Sequence, residues 1–168
     1  MLIREAVESD LEEFVPLFHS IVEAGETYAY PEGLSEEEIR GLWFERPPGR
    51  TTVAVDEAGA LLGSAKMGPN RPGRGSHVGT ASFMVGADAR GRGVGRALAE
   101  DMITWHRAQG YDGIQFNAVV ETNTTAVRLW QELGFTVLAT VPRAFDSRAH
   151  GRVGLHVMYL SLDGEDPT

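Results

Sequence analysis

The stretch Val85-Gly86-Ala87-Asp88-Ala89-Arg90-Gly91-Arg92-Gly93-Val94-Gly95-Arg96-Ala97-Leu98 constrains this chain most: an apolar run stops, a glycine-rich loop follows, and a helical pattern begins. Upstream, Thr80 to Val85 has the length and composition of a strand, and downstream Val94, Leu98, Met102 and Trp105 recur at helical spacing. The glycines therefore sit at a strand-to-helix joint. A helix presents N–H groups there that lack intrahelical partners and carry a partial positive charge, and glycine lets a phosphate approach the backbone closely. Arg90, Arg92 and Arg96 add positive charge, so the joint reads as a pyrophosphate cradle.

The loop alone does not name its ligand. A P-loop ends in Gly-Lys-Ser/Thr, whereas this one ends in Gly95-Arg96-Ala97 and supplies neither the lysine nor the magnesium hydroxyl. A dinucleotide fingerprint spaces its glycines G-x-G-x-x-G, and Gly91-Arg92-Gly93-Val94-Gly95 does not. Arg90, Gly93 and Gly95 instead satisfy Arg/Gln-x-x-Gly-x-Gly/Ala, and a second block, Asn123 to Phe135, opens a helix on asparagine and closes it on Leu133-Gly134-Phe135. In these two blocks, their order and their separation, the chain resembles the GNAT superfamily of N-acetyltransferases. The combination of Phe116-Asn117, Thr122-Asn123 and Leu129-Trp130 resembles a subgroup of that family that includes enzymes acting on small amino or imino acids.

A length of 168 residues suits one domain spanning 1–168, with 163–168 as a frayed tail. The absence of cysteine excludes disulfides, thiolate metal sites and an acyl-enzyme on a thiol, and no metal is expected. A net charge of −9 opposes nonspecific attraction to nucleic acid and to anionic membranes, while the near field of Arg90 to Arg96 still suits a phosphate. No basic-then-apolar leader opens the sequence, and no run of about 18 apolar residues occurs, so a cytoplasmic protein is expected.

In chain order, Leu2 to Val7 reads as a strand, and Ser9 with Glu12 has capping-box spacing ahead of a helix with Leu11, Phe14, Val15, Phe18, Ile21 and Val22 on one face. Pro16 threatens a kink or a late start, and Gly25 ends the helix. Ser35 and Glu38 repeat the box before a helix from Glu36 to Phe44. A hairpin of Thr51 to Asp56 with Leu61 to Met67 follows, then a mobile loop from Gly68 to Ser76 and a strand from His77 to Gly86. After the cradle come a helix from Gly93 to Gln109, a strand from Tyr111 to Val120, the Asn123 helix, and strands near Thr136 to Val141 and His156 to Leu162. Pro142 to Phe145 either turns the chain between those last strands or helps to close the pocket.

The pattern is α/β. The resemblance further implies a mixed, mostly antiparallel sheet splayed at its middle and flanked by about four helices, with acetyl-CoA as cofactor. It implies that Arg90, Gly91, Arg92, Gly93, Val94, Gly95, Arg96 and Ala97 hold the pyrophosphate. Phe83, Met84 and Val85 would align the pantetheine arm, a main-chain donor near Val85 would polarise the thioester carbonyl, and Asn123, Ala126 and Trp130 would border the cofactor. The acceptor would meet Thr27, Tyr28, Tyr30, Asn117 and Phe145, because the segment between the first two helices acts as a substrate lid in the family.

Asn117 interrupts an apolar strand, where its amide can hold an acceptor or simply bond to a neighbouring loop as a buried group. The family's tyrosine acid falls here on Trp130, whose indole can donate a hydrogen bond but is no usable proton donor. Tyr28, Tyr30 and Tyr159 remain candidates for the acid; Glu26, His77 and His156 are candidates for the base. The leading expectation is acetyl transfer to a small amine by direct attack. A noncatalytic acyl-CoA-binding module and a peptide acetyltransferase are the alternatives, and the late strands suit a homodimer.

Overall fold

The computed structural model describes residues 1–163; residues 164–168 of the expected frayed tail lie outside the described residues. Strands β1 (Leu2–Glu5), β2 (Arg50–Val55), β3 (Leu61–Pro69), β4 (Val78–Val85), β5 (Gly113–Val120), β6 (Thr136–Ser147) and β7 (Gly151–Ser161) form one sheet in the order β1-β2-β3-β4-β5-β7-β6. Helices α1 (Leu11–Ala24) and α2 (Glu36–Trp43) cover one face, and α3 (Val94–Ala108) and α4 (Thr124–Glu132) the other.

Each neighbouring pair is antiparallel except β4 and β5, which α3 joins by the crossover that parallel strands require. That pair is held at Val78–Gly113 and Gly79–Ile114 and then opens. The sheet is therefore mixed, mostly antiparallel and forked at its middle, as the family resemblance implies.

Strand periodicity divides the core between the two faces. Met84 of β4 packs with Phe14, Phe18, Ile39 and Trp43 under α1 and α2. Ala81, Phe83 and Val85 turn the other way, toward Leu98, Met102, Phe116 and Trp130. Leu11, Phe14, Phe18 and Val22 give α1 its buried stripe, Pro16 sits inside the helix without ending it, and Gly25 at φ 70° closes it.

Two local expectations need correction. Ser9 and Glu12 form no box; Asp10 is drawn away to the Arg4 guanidinium (2.7 Å) and the Val7 N–H (2.8 Å), which makes Glu8–Asp10 a 3-10 turn ahead of α1. Pro142 to Phe145 is not the turn between the last strands. A bulge between Val141 and Phe145, with Arg143 at φ 56°, absorbs the proline, and β6 runs on to Ser147. The Ser35–Glu38 box forms as expected.

The root of the fork is packed by a histidine. A Cβ at Gly79 would lie 2.3 Å from the His106 ring, so only glycine fits beneath it. His106 is fully buried, its Nδ1 donates to the Met102 carbonyl (2.9 Å), and the Gly68 backbone also acts on the ring. Burial holds its pKa below the usual histidine value.

Gly79→Ala should overpack this root and cost about 1–3 kcal/mol in urea unfolding. The unfolded chain binds a proton that folded His106 refuses, so stability should be full above about pH 6.5 and fall as pH drops toward the lowered folded value. Urea midpoints between pH 7.5 and 5.5 would show that loss, and it should shrink in His106→Asn, whose amide can keep the bond to Met102.

Candidate active site

At the mouth of the fork the chain leaves β4, makes a 3-10 turn over Ala87–Ala89, and crosses Gly91 and Gly93 at φ 73° and 77° before α3 begins. These angles favour glycine, which explains the loop's composition. The first bond of α3 runs from the Ala97 N–H to the Gly93 carbonyl (3.0 Å), and no side chain caps the helix. The N–H groups of Val94, Gly95 and Arg96 are therefore unpartnered among the described residues and carry the positive end of a 15-residue helix. Val94 is buried and anchors the turn, and Gly95 leans toward Leu129 and Val85.

Arg90 and Arg92 are exposed and form no ion pair among the described residues. Arg96 differs from them: its guanidinium bonds to Glu132 and lies 3.9 Å from Glu100, so much of its charge is met within the protein.

The walls of the fork follow from the antiparallel ladder. The Gly86 N–H bonds to the Leu62 carbonyl (2.9 Å), which turns the main chain of even residues toward β3 and that of Ala81, Phe83 and Val85 into the fork. The Val85 N–H faces the fork with no partner among the described residues. Phe83 is already engaged: its N–H donates to the Tyr28 hydroxyl (2.8 Å), which donates to the Phe83 carbonyl (2.6 Å). Met84 cannot align an arm, because its side chain is buried under α1 and α2 and its main chain belongs to the β3 ladder.

Trp130 closes the α4 side, with its ring centroid 4.8 Å from both Phe83 and Phe116. It is 6% exposed and serves as a wall. Asn123 caps α4 by accepting from the Ala126 N–H (3.4 Å), and Ala126 packs against the core.

On the α1/α2 side, two hollows adjoin the fork. One, of about 630 Å³, is lined by Tyr28, Tyr30, Glu32, Phe145, Ser147 and Arg148. The other, of about 300 Å³, is lined by Tyr30, Glu45, Lys66, Thr80, Ser82 and Asn117. Tyr30 belongs to both and stacks on Tyr28 at 5.5 Å. Thr27 lines neither of these two hollows.

A bulge in the β5–β7 register after Phe116 leaves Asn117 exposed rather than buried. Its Nδ2 donates to Asn70 Oδ1 (2.7 Å), and its Oδ1 accepts from Gln115 (2.8 Å). Sequence reasoning missed Lys66, Thr80 and Ser82. The available signal was their period-two polarity on two otherwise apolar strands, with Lys66 directly opposite Ser82 in register.

The acid and base candidates separate on position. Glu26 accepts from the Ser147 hydroxyl (2.6 Å) and the Ala149 N–H (2.8 Å), contacts that hold its carboxyl below the usual range and clasp the lid to the β6–β7 turn. His77 precedes the closed rungs, Tyr159 lies against Gly113 at that same closed end, and His156 is bonded to Thr140 (2.7 Å). Burial raises the Tyr28 phenol well above its usual pKa, so it remains a hydrogen-bond donor but is a poor proton source for a thiolate of pKa about 8.5.

The Acetyltransferase (GNAT) family model matches residues 11–135. A GCN5-related N-acetyltransferase from Kribbella flavida is 59% identical, with a TM-score of 0.94 over 96% of this chain and 97% of that one. An L-methionine sulfoximine/L-methionine sulfone acetyltransferase of Pseudomonas aeruginosa is 32% identical over 96% of this chain and 94% of its own length. The yncA protein of Salmonella typhimurium, solved with its cofactor acetyl-CoA, is 25% identical, with a TM-score of 0.83 over 100% of this chain and 97% of that one. The family-model match over most of the chain and the likeness of its whole fold to these proteins show that the chain belongs to the GNAT family of acetyltransferases, enzymes that draw their acetyl group from acetyl-CoA.

Proposed function

We propose that the protein acetylates the amine of a small molecule, an amino acid or a related amine, by direct attack within a ternary complex. The observation that carries this reading is the fork itself, with free main-chain donors at its mouth and polar hollows on its far side. The unpartnered N–H groups and open glycine positions fit a pyrophosphate, which Arg90 to Ala97 would hold mainly through the backbone. Bound acetyl-CoA supplies the acetyl group as a thioester. Val85 presents its free main-chain groups to the arm, the Phe83 ring and Trp130 bound the arm on the α4 side, and Asn123 and Ala126 fix the start of α4 beside it. The Val85 N–H is the free donor for a carbonyl that gains charge during attack.

Because the chain has no cysteine, the acyl group passes to the acceptor without an enzyme thioester. Holding the two reactants together does most of the work for an amine and a thioester. Tyr28, Tyr30, Phe145 and Asn117 line the acceptor side. Hollows of about 300 and 630 Å³ have room for a small molecule, and the relative acting on methionine sulfoximine and sulfone supports an amino-acid-sized acceptor.

We further read residues 1–168 as one cytoplasmic acetyltransferase domain without nucleic-acid or membrane partners, consistent with the net charge of −9. No helix among the described residues is long and apolar enough to cross a membrane. Exposed Val137, Leu138 and Val141 on β6 support a homodimer.

Acetyl-CoA and CoA should raise Tm where ATP does not, by about 2.7 kcal/mol of added stability at 100 times Kd. Gly95→Asp should keep the fold, since a Cβ there meets Leu129 at 3.6 Å and Val85 at 3.9 Å, ordinary van der Waals distances, yet weaken CoA binding on the order of 100-fold by setting a carboxylate against the pyrophosphate. With acetyl-CoA bound, a panel of free amino acids that includes L-methionine sulfone should yield N-acetylated product by mass spectrometry. A panel in which only peptides react would replace the small-molecule reading with peptide acetylation.

A further inference from the structure

The open edge of β4 is a row of main-chain groups that an extended arm would pair with as a strand does. Entering from the cradle, such an arm meets Val85 first and Phe83 next, because only alternate residues face the fork. The Val85 rung is free, whereas both polar groups of Phe83 are taken by one phenol at 2.6 and 2.8 Å.

We propose that the Tyr28 hydroxyl is a resident stand-in for the acyl arm at the Phe83 peptide, and that the arm displaces it when acyl-CoA fills the fork. The proposal rests on reading the fork as the acyl-CoA site. The exchange conserves hydrogen bonds on β4 only if the arm brings both an acceptor for the Phe83 N–H and a donor for the Phe83 carbonyl, the two groups that Tyr28 releases and that the amides of an acyl-CoA arm can match. It also transmits loading to the acceptor side. Tyr28 stacks on Tyr30, packs edge-on to Trp43 at 6.1 Å, and stands two residues after the Glu26 clasp. Because Tyr30 borders both hollows, withdrawing the Tyr28 hydroxyl reshapes the walls an acceptor meets. Acyl-CoA therefore binds before the acceptor, and Tyr28 acts as a positioning residue that keeps the two sites out of register until the fork is loaded.

The test compares dissociation constants of acetyl-CoA and of 3′-phosphoadenosine 5′-diphosphate, which has the pyrophosphate but no arm, for the wild type and Tyr28→Phe. Phenylalanine keeps the ring and frees Phe83, so the variant should bind acetyl-CoA about five- to tenfold more tightly and the armless nucleotide equally well. Equal or weaker binding of acetyl-CoA by the variant overturns the proposal. A second measurement needs no variant. In the wild type, amide hydrogen exchange across residues 26–34 should quicken with acetyl-CoA and stay unchanged with the armless nucleotide; unchanged or slower exchange with acetyl-CoA overturns the proposal as well. If neither ligand binds the wild type, the reading of the fork itself falls, an outcome distinct from a failure of the Tyr28 exchange.

Discussion

The structure depends on a sheet that stops pairing in its middle. Two rungs hold β4 to β5, and a glycine beneath a buried histidine packs their root. Above that point the main chain of β4 has no strand beside it, and buried N–H and C=O groups must find other partners. The crossover through α3 makes the arrangement possible, because it returns the chain parallel to β4 and sets the start of a helix over the open end. Ser82 and Asn117 each stand three residues beyond the last rung, so the polar row that includes Lys66 crosses the α1/α2 face where the strands have separated. On the opposite face Phe83, Trp130 and Phe116 keep water out.

Charge plays a narrower part than the three arginines suggest. Arg96 is spent on Glu132, itself shared with Arg128 and held below the usual carboxylate range by those contacts. What remains at the mouth is backbone, with Arg90 and Arg92 at its rim. Were this the pyrophosphate site proposed above, it would bind through fixed dipoles that need no reorganisation, and in a protein of net charge −9 its attraction for a polyanion would be short-ranged.

Much of this was legible in the residues. The loop showed because glycine at positive φ and an uncapped helix start leave a local signature, and Asn123 and Ser35 showed because capping is also local. Ser9 misled for the opposite reason: Asp10 found a guanidinium whose proximity depends on β1 joining the sheet beside it. Pro142 looked like a chain break, yet a bulge on the edge strand accommodates it. Met84 and Val85 looked alike in an apolar run, and only the ladder to β3 decides which of them faces the fork. The bonds from Tyr28 to Phe83 span 55 residues and those from Glu26 to Ser147 span 121, so no pattern within a window could reveal them.

The shortness of the seam between β4 and β5 also has a mechanical meaning. The sheet is two antiparallel blocks, β1 to β4 and β5 with β7 and β6, stitched at one corner and braced by α3. Such a joint is compliant to twisting of one block against the other, because two rungs resist rotation far less than a full ladder. An extended molecule lying along the edge of β4 supplies the missing rungs and turns two hinged plates into one continuous surface. Rigidity in this fold is thus not wholly encoded in its chain: a molecule paired along β4 would bring part of it on binding and remove it on release.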